Sequence, residues 1–275
     1  MRIHIAFSTV YAYDRPSKAI VQRLRLTPRA HEGQHVSAWR IETDTDSRLK
    51  SGEDAFGNII HMLSVAGPIE SLAVNVIGDV ETTNTNGIVR GTVERLPEEV
   101  YLRETPLTAC DDALGIFARR AARGSERDEL SVLHRLLAAI HDELTFDTQP
   151  TTSLTTAAEA FAMRSGVCQD LTHIFLACAR HLRIPARYVS GHFLRADGLT
   201  EQEASHAWAE AKIPGLGWVG FDPANGICPT DAHVRVATAL DYLGAAPVRG
   251  SRLGGGEEKL TVGVHVSDGS RQAQS

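Results

Sequence analysis

Three residues of this chain could together make an activated nucleophile: Cys168, His206 and Asp222. Cys168 stands in Arg164-Ser165-Gly166-Val167-Cys168-Gln169-Asp170, where the pattern turns helical. His206 lies in Ser205-His206-Ala207-Trp208, and Asp222 in Gly220-Phe221-Asp222-Pro223. A thiol is mostly protonated near neutral pH and is a poor nucleophile in that form. Unpaired N–H groups at a helix N-terminus favour the thiolate, and so does an adjacent imidazolium. A carboxylate on the far side of the imidazole fixes its tautomer and orientation, and first-turn amides can form part of an oxyanion hole. The chemistry such a set supports is the making or breaking of acyl bonds through an acyl-enzyme.

Each residue also has a plainer reading. A lone cysteine opening a helix is commonly a small buried side chain, a histidine beside alanine can belong to the core, and an aspartate before proline is a turn former. Strand geometry separates the two readings. A four-residue loop at 214–217 would pair Ile213 with Trp218 and put His206 and Asp222 on opposite faces. A loop one residue longer, 213–217, or a bulge, would set Trp208 opposite Asp222 and make His206 and Asp222 diagonal neighbours on one face. An odd-length loop or a bulge is therefore predicted.

The elements that must carry these residues are legible in the hydrophobic period. Residues 1–105 read as β. Ile3, Ile5 and Phe7 alternate, and short runs at 20–26, 36–41, 59–65 and 72–77 are separated by turn residues. This pattern predicts an antiparallel, sandwich-like domain. From about 106 the period becomes helical. Ser125 is the expected N-cap of a helix with Glu126, Asp128 and Glu129 in its first turn and Leu130, Leu133, Leu136, Leu137 and Ile140 on one face. Thr156 and Glu159 can form a capping box. A further helix is predicted over 167–182, closed by Ile184-Pro185. Strands return at 186–191, 206–213, 218–222 and 233–237, with a last strand at 260–266 after Gly254-Gly255-Gly256. The expected organisation is a β domain over 1–105, a catalytic core over 106–267 and a disordered tail over 268–275.

The 275 residues are 43% hydrophobic and 23% charged, an ordinary globular composition. A net charge of −6 argues against nucleic acid as a partner, and no run of eighteen apolar residues predicts a membrane span. His4, Ser8 and Thr9 interrupt the apolar start, and no small-residue cleavage site precedes Asp14-Arg15-Pro16, so the start reads as a strand rather than a signal peptide. The cysteines Cys110, Cys168, Cys178 and Cys228 have neither C-x-x-C nor zinc-finger spacing. Cys168 and Cys178 are about 15 Å apart along one helix, beyond the roughly 7 Å that a disulfide spans. A reducing cytoplasm is the expected location, with no cofactor and no metal.

Two motif matches are better read as turns. His31-Glu32-Gly33-Gln34-His35 fits H-E-x-x-H, which needs a helix, whereas Pro28 and Gly33 make a polar turn here. Gly215-Leu216-Gly217-Trp218-Val219-Gly220 fits G-x-G-x-x-G, but no helix follows it. Near the candidate nucleophile, Asp170 reads either as a helix cap or as a residue supporting Cys168. Trp208 should share a face with His206 and could shield the imidazole–carboxylate pair from water.

The segments Gly166-Val167-Cys168-Gln169-Asp170, Ile184-Pro185-Ala186-Arg187-Tyr188-Val189-Ser190-Gly191, Ser205-His206-Ala207-Trp208-Ala209-Glu210 and Gly217-Trp218-Val219-Gly220-Phe221-Asp222-Pro223 together resemble the core of the transglutaminase-like superfamily. Tyr13-Asp14-Arg15-Pro16 and Leu24-Arg25-Leu26-Thr27-Pro28-Arg29 resemble the β domain that precedes this core in bacterial members. The resemblance implies an α+β, papain-like core with the cysteine on a helix and the histidine and aspartate on an antiparallel sheet. By motif position it makes Cys168 the nucleophile, His206 the general base and acid, and Asp222 the orienting residue. The expected function is hydrolysis of a peptide or protein amide by a cysteine peptidase or amidase. The alternatives are transfer of the acyl group to an amine, as in transglutaminases or N-acyltransferases, and a catalytically silent interaction protein.

Overall fold

A computed structural model describes residues 1–125, 128–149 and 151–269. In chain order come β1 (Arg2–Thr27), β2 (Gln34–Thr43), β3 (Arg48–Glu53), β4 (Ile59–Thr82), β5 (Ile88–Val89), α1 (Asp112–Ala122), α2 (Glu129–Glu143), β6 (Thr145–Phe146), α3 (Ala157–Met163), β7 (Ser165–Gly166) and α4 (Cys168–His181). They are followed by β8 (Ala186–Phe193), β9 (Glu201–Gln202), β10 (His206–Ile213), β11 (Gly217–Phe221), β12 (His233–Ala239), α5 (Tyr242–Ala245), β13 (Val248–Gly254) and β14 (Glu258–Asp268). The fold is α+β, a strand-rich antiparallel unit joined to a helix-on-sheet unit.

The first sheet runs β2-β4-β1-β14-β9, with β13 also on β1 and β3 also on β4. Its β1 and β4 are single strands of 26 and 24 residues, where short strands separated by turns were expected. The physical reason is that the chain bulges where a turn was read. Register shifts at Ala12/Ser17 and Ser17/Ala19 bend β1 through the exposed Asp14-Arg15-Pro16 without ending it. Opposite this bend, a Cβ on Gly67 of β4 would come within 2.2 Å of the Ser17 carbonyl oxygen, so only glycine fits. The sheet thereby curls around one cluster that includes Ile3, Ile5, Leu24, Leu63, Val74 and Val266.

The second sheet runs β12-β8-β10-β11-β5. Its Ala207, Ala209, Tyr188 and Phe221 join α1, α2 and α4 in the second core. The sheets therefore do not divide the chain at 105/106 as expected. β5 pairs with β11 of the second sheet, while β13 and β14 return to β1 of the first. The last strand forms where predicted but pairs with the start of the chain. The expected tail lies outside the described residues from 270 onward, and Asp268 still belongs to β14. The first turn of α2 also starts later than predicted. Asp128 is its N-cap and accepts from the Ser131 amide at 3.3 Å; Glu126 lies outside the described residues. The Thr156–Glu159 capping box is present at the start of α3.

The sheet face opposite the helices carries a buried charge network. Glu210, fully buried, accepts from Arg187 Nε at 2.7 Å and from Arg235 Nε at 2.8 Å. Burial pushes the Glu210 carboxyl up, but the two guanidinium groups outweigh it and hold it at about 2. Removing one member leaves uncompensated buried charge. Glu210→Ala should therefore lower unfolding stability by about 3–5 kcal/mol, measured by urea denaturation. A loss below about 1 kcal/mol would show that Glu94, which already accepts from Arg187 Nη1 at 2.9 Å, and water suffice for the two arginines.

Candidate active site

Cys168 is the first residue of α4 and Val167 is its N-cap, in extended conformation at φ −93°. No side chain of Val167 can cap the helix. Asp170 instead reaches back, and its Oδ2 accepts from the Val167 amide at 2.9 Å. Gly166 is required by this arrangement, since a Cβ there would come within 2.6 Å of Asp170 Cβ. Burial pushes the Asp170 carboxyl up, against the hydrogen bond from the Val167 amide. Of the two sequence readings of Asp170, the cap is the one this geometry supplies. It fixes the backbone on which Cys168 sits.

His206 opens β10 and Asp222 directly follows β11. The hairpin between them closes at Ile213↔Gly217 over the three residues Pro214, Gly215 and Leu216, and its register continues through Lys212↔Trp218 to Ala209↔Phe221. One step further sets Trp208 opposite Asp222. This is the odd-length register predicted, and it leaves His206 and Asp222 diagonal on one face. His206 Nε2 lies 2.7 Å from Asp222 Oδ2. With Nε2 so occupied, Nδ1 is the ring nitrogen left for the thiol, and Cys168 and His206 line the same cavity.

Asp222 is fully buried and fully engaged. Its Oδ1 accepts from the amides of Ala224 and Asn225 at 3.1 and 3.2 Å. Its Oδ2 accepts from Asn225 Nδ2 at 2.7 Å, beside His206, and from His233 Nε2 at 3.2 Å. Burial pushes this carboxyl up, but His206 and the other donors prevail and hold it well below the usual carboxylate range. Burial likewise pushes the His206 imidazole down. The Asp222 carboxylate and the Cys168 contact outweigh it and raise the imidazole to about 10.

Asn225 and His233 were not singled out from sequence. The turn Asp222-Pro223-Ala224-Asn225 carried a signal for the first, since an aspartate two or three residues before free amides commonly caps them. Nothing local marked His233. Its role follows from its tautomer: the Thr230 amide donates to Nδ1 at 3.1 Å, so the proton is on Nε2 and points at Asp222. The ligand-type atoms of His206, Asp222 and His233 lie within 4.8 Å of one another, a spacing that could hold a cation. The Thr230 bond argues for a hydrogen-bond donor at that point instead, because a protonated Nε2 has no lone pair to give. Trp208 is buried, with its ring centroid 6.1 Å from that of His206 and 5.3 Å from that of His233.

The other sequence motifs fall elsewhere. His31 and Gln34 form a bridge that closes a turn before β2, with no helix to align His31 and His35. Gly215 to Gly220 span the β10–β11 hairpin and β11.

These shifts set a pH dependence. His206 binds its proton more tightly folded, to about 10, than unfolded, at its ordinary 6.5, so its contribution to stability is complete below about 6.5 and is lost as pH rises through about 10. The melting temperature should fall between about pH 7 and about pH 10, and His206→Gln should flatten that part of the curve. Equal slopes in both proteins would assign the fall to other groups.

A cavity of about 210 Å³ opens beside Cys168 and His206. Its far wall comes from the first sheet, through Phe7, Thr9 and Tyr11 of β1 and Leu260 and Val262 of β14.

Comparison with known proteins adds family evidence to this geometry. Residues 3–81 match the family model of the bacterial transglutaminase-like N-terminal region, and residues 117–223 match that of the transglutaminase-like superfamily. An uncharacterized protein of Mycobacterium leprae is 29% identical over 97% of this chain and 98% of its own length. An uncharacterized protein of Mycobacterium tuberculosis is 27% identical over 90% of this chain and 87% of its own. Among solved structures, a candidate cysteine protease from Cytophaga hutchinsonii superposes with a TM-score of 0.74 over 97% of this chain and 90% of that one, at 19% identity. That likeness establishes a shared fold.

Proposed function

The chain belongs to the transglutaminase-like superfamily, and on that premise we propose that it hydrolyses peptide or protein amide bonds through a thioester on Cys168. The observation that carries this reading is an arrangement: a cysteine at the start of α4 that shares a cavity with His206, whose Nε2 is 2.7 Å from a buried carboxylate. In the proposed reaction the Cys168 sulfur attacks the amide carbonyl and a C–S bond forms. The N–H groups of Cys168 and Gln169, in the first turn of α4, have no intrahelical partner and are placed to receive the developing oxyanion. His206 gives its Nδ1 proton to the leaving nitrogen as the C–N bond breaks. Water then attacks the thioester carbonyl, giving one proton to His206, and the C–S bond breaks to release the carboxylic acid and the Cys168 thiolate beside the reprotonated imidazole. Asp222 keeps the ring oriented throughout, and Asn225 and His233 keep Asp222 oriented. A reduced thiol, and hence the cytoplasm, belongs to the same proposal.

The test is alkylation of Cys168 by iodoacetamide, read by mass spectrometry, in wild type and His206→Ala. Labelling should stay fast at about pH 6 in wild type and drop by about 100-fold or more in the variant. Undiminished labelling without His206 would rule out imidazole activation. Turnover of acyl-aminoacyl coumarin amides with and without a primary amine then separates the outcomes. Product that remains the free acid supports hydrolysis, and amide product in proportion to the amine makes the chain an acyltransferase.

A further inference from the structure

We infer that the residue on the acyl side of the substrate is bulky and apolar, leucine- or phenylalanine-like, and that β1 and β14 supply the wall that selects it. This rests on Cys168 being the nucleophile. In the ladder between the two strands Thr9 pairs with Val262 and Tyr11 with Leu260. Residues at 7, 9 and 11 share a face of β1, so Phe7, Tyr11, Val262 and Leu260 form one continuous patch on the cavity, facing the start of α4. Leu260 is 51% exposed, an apolar side chain left in water at the mouth of the cleft that holds the thiol.

Charge points the same way. Among the described residues that line the cavity, none is a lysine or arginine, and Glu203 is the one carboxylate. An anionic side chain entering here would lose hydration with no lysine or arginine to pair with, since the His206 imidazolium is already held by Asp222, and would meet Glu203 as well. The hydroxyl-bearing Ser190 and Ser205 lie beside the chemistry, opposite Ala207 and next to His206, while the β1–β14 side is largely apolar. Size limits what enters. A cavity of about 210 Å³ is smaller than the roughly 300–1,000 Å³ that takes a whole drug-sized ligand. It suits one side chain and the reacting amide.

The probe is a set of N-acetyl aminoacyl chloromethyl ketones with leucine, phenylalanine, glutamine or aspartate side chains, tested on the full chain. Sulfur displaces chloride, a C–S bond replaces the C–Cl bond, and the Cys168 adduct is counted by mass spectrometry. The leucine and phenylalanine reagents should react about 10-fold or more faster than those with glutamine or aspartate. Leu260→Lys, at an exposed position, should slow the leucine reagent and speed the aspartate one, narrowing their ratio by about fivefold or more when each rate is taken relative to the same protein's iodoacetamide rate. Fast iodoacetamide labelling with equal rates for all four reagents would overturn the specificity alone. Slow labelling by iodoacetamide and by every ketone would take down the nucleophile assignment, and the specificity with it.

Discussion

Cys168→Ala should abolish turnover of any amide substrate, by about 10⁴-fold or more, while leaving the fold intact. The sulfur is the atom that becomes covalently bound in the proposed reaction, and no neighbouring group can take its place. Cys110 and Cys228 lie outside the cleft, Cys178 is fully buried, and burial pushes all three thiols up. The structural cost is expected to be small. Cys168 is half-buried at the first position of α4, where alanine is a favourable helix residue, and the Asp170 cap does not involve its side chain. The measurement pairs coumarin-amide turnover with a melting curve. Retained turnover in a folded Cys168→Ala protein would move the chemistry to another group and end the thioester reading.

Asp222→Asn should cost about 10³–10⁴-fold in kcat and destabilise the chain at the same time. The amide oxygen of an asparagine could keep the Ala224 and Asn225 amides that Oδ1 now accepts. Its NH₂ would then face three groups that at present donate to Oδ2: His206 Nε2, Asn225 Nδ2 and His233 Nε2. His206 can adapt only by moving its proton to Nδ1 and accepting on Nε2, which leaves a neutral ring where the mechanism needs an imidazolium. His233 cannot adapt, because its Nδ1 already accepts from Thr230. Each buried donor left without an acceptor costs about 1–3 kcal/mol, so the melting temperature falls along with kcat. His233→Leu provides the contrast. It removes one donor to a charged acceptor and keeps the relay, so kcat should fall by about 10- to 100-fold with KM little changed. A fall in Asp222→Asn no larger than in His233→Leu would mean that orientation, rather than charge, is what Asp222 supplies.

The second sheet was largely readable because its information is local. Alternation and turn residues bounded β8, β10, β11 and β12 to within a few residues; the parity that puts His206 and Asp222 on one face was expected only if the two meet, and the loop Pro214-Gly215-Leu216 supplies it. The start of α4 at Cys168 was readable for the same reason, because the Gly166 and Asp170 requirements lie within five residues. The first sheet was less readable. Asp14-Arg15-Pro16 has turn composition, yet it sits on an exposed bulge between residues that β4 pairs on either side, Ala12 with Ser71 and Ser17 with Ile69, and only tertiary pairing decides between the two. The return of β13 and β14 to β1 is decided by contacts across most of the chain. His233 belongs to this class too. Its ring is tied to Asp222 by the Thr230 turn and by sheet order, neither of which leaves a mark in its flanking residues.

That β1 is flanked by β13 and β14 has a consequence for how the chain is made. A ribosome releases β1 more than two hundred residues before β13 and β14, so during synthesis a 26-residue strand waits with one edge open until those partners have emerged. An unpaired edge of that length invites pairing with another nascent chain. The late arrival of β14 both seals that edge and finishes the cleft wall, so a nascent chain that lacks β14 carries the thiol without the Leu260 and Val262 side of its cavity.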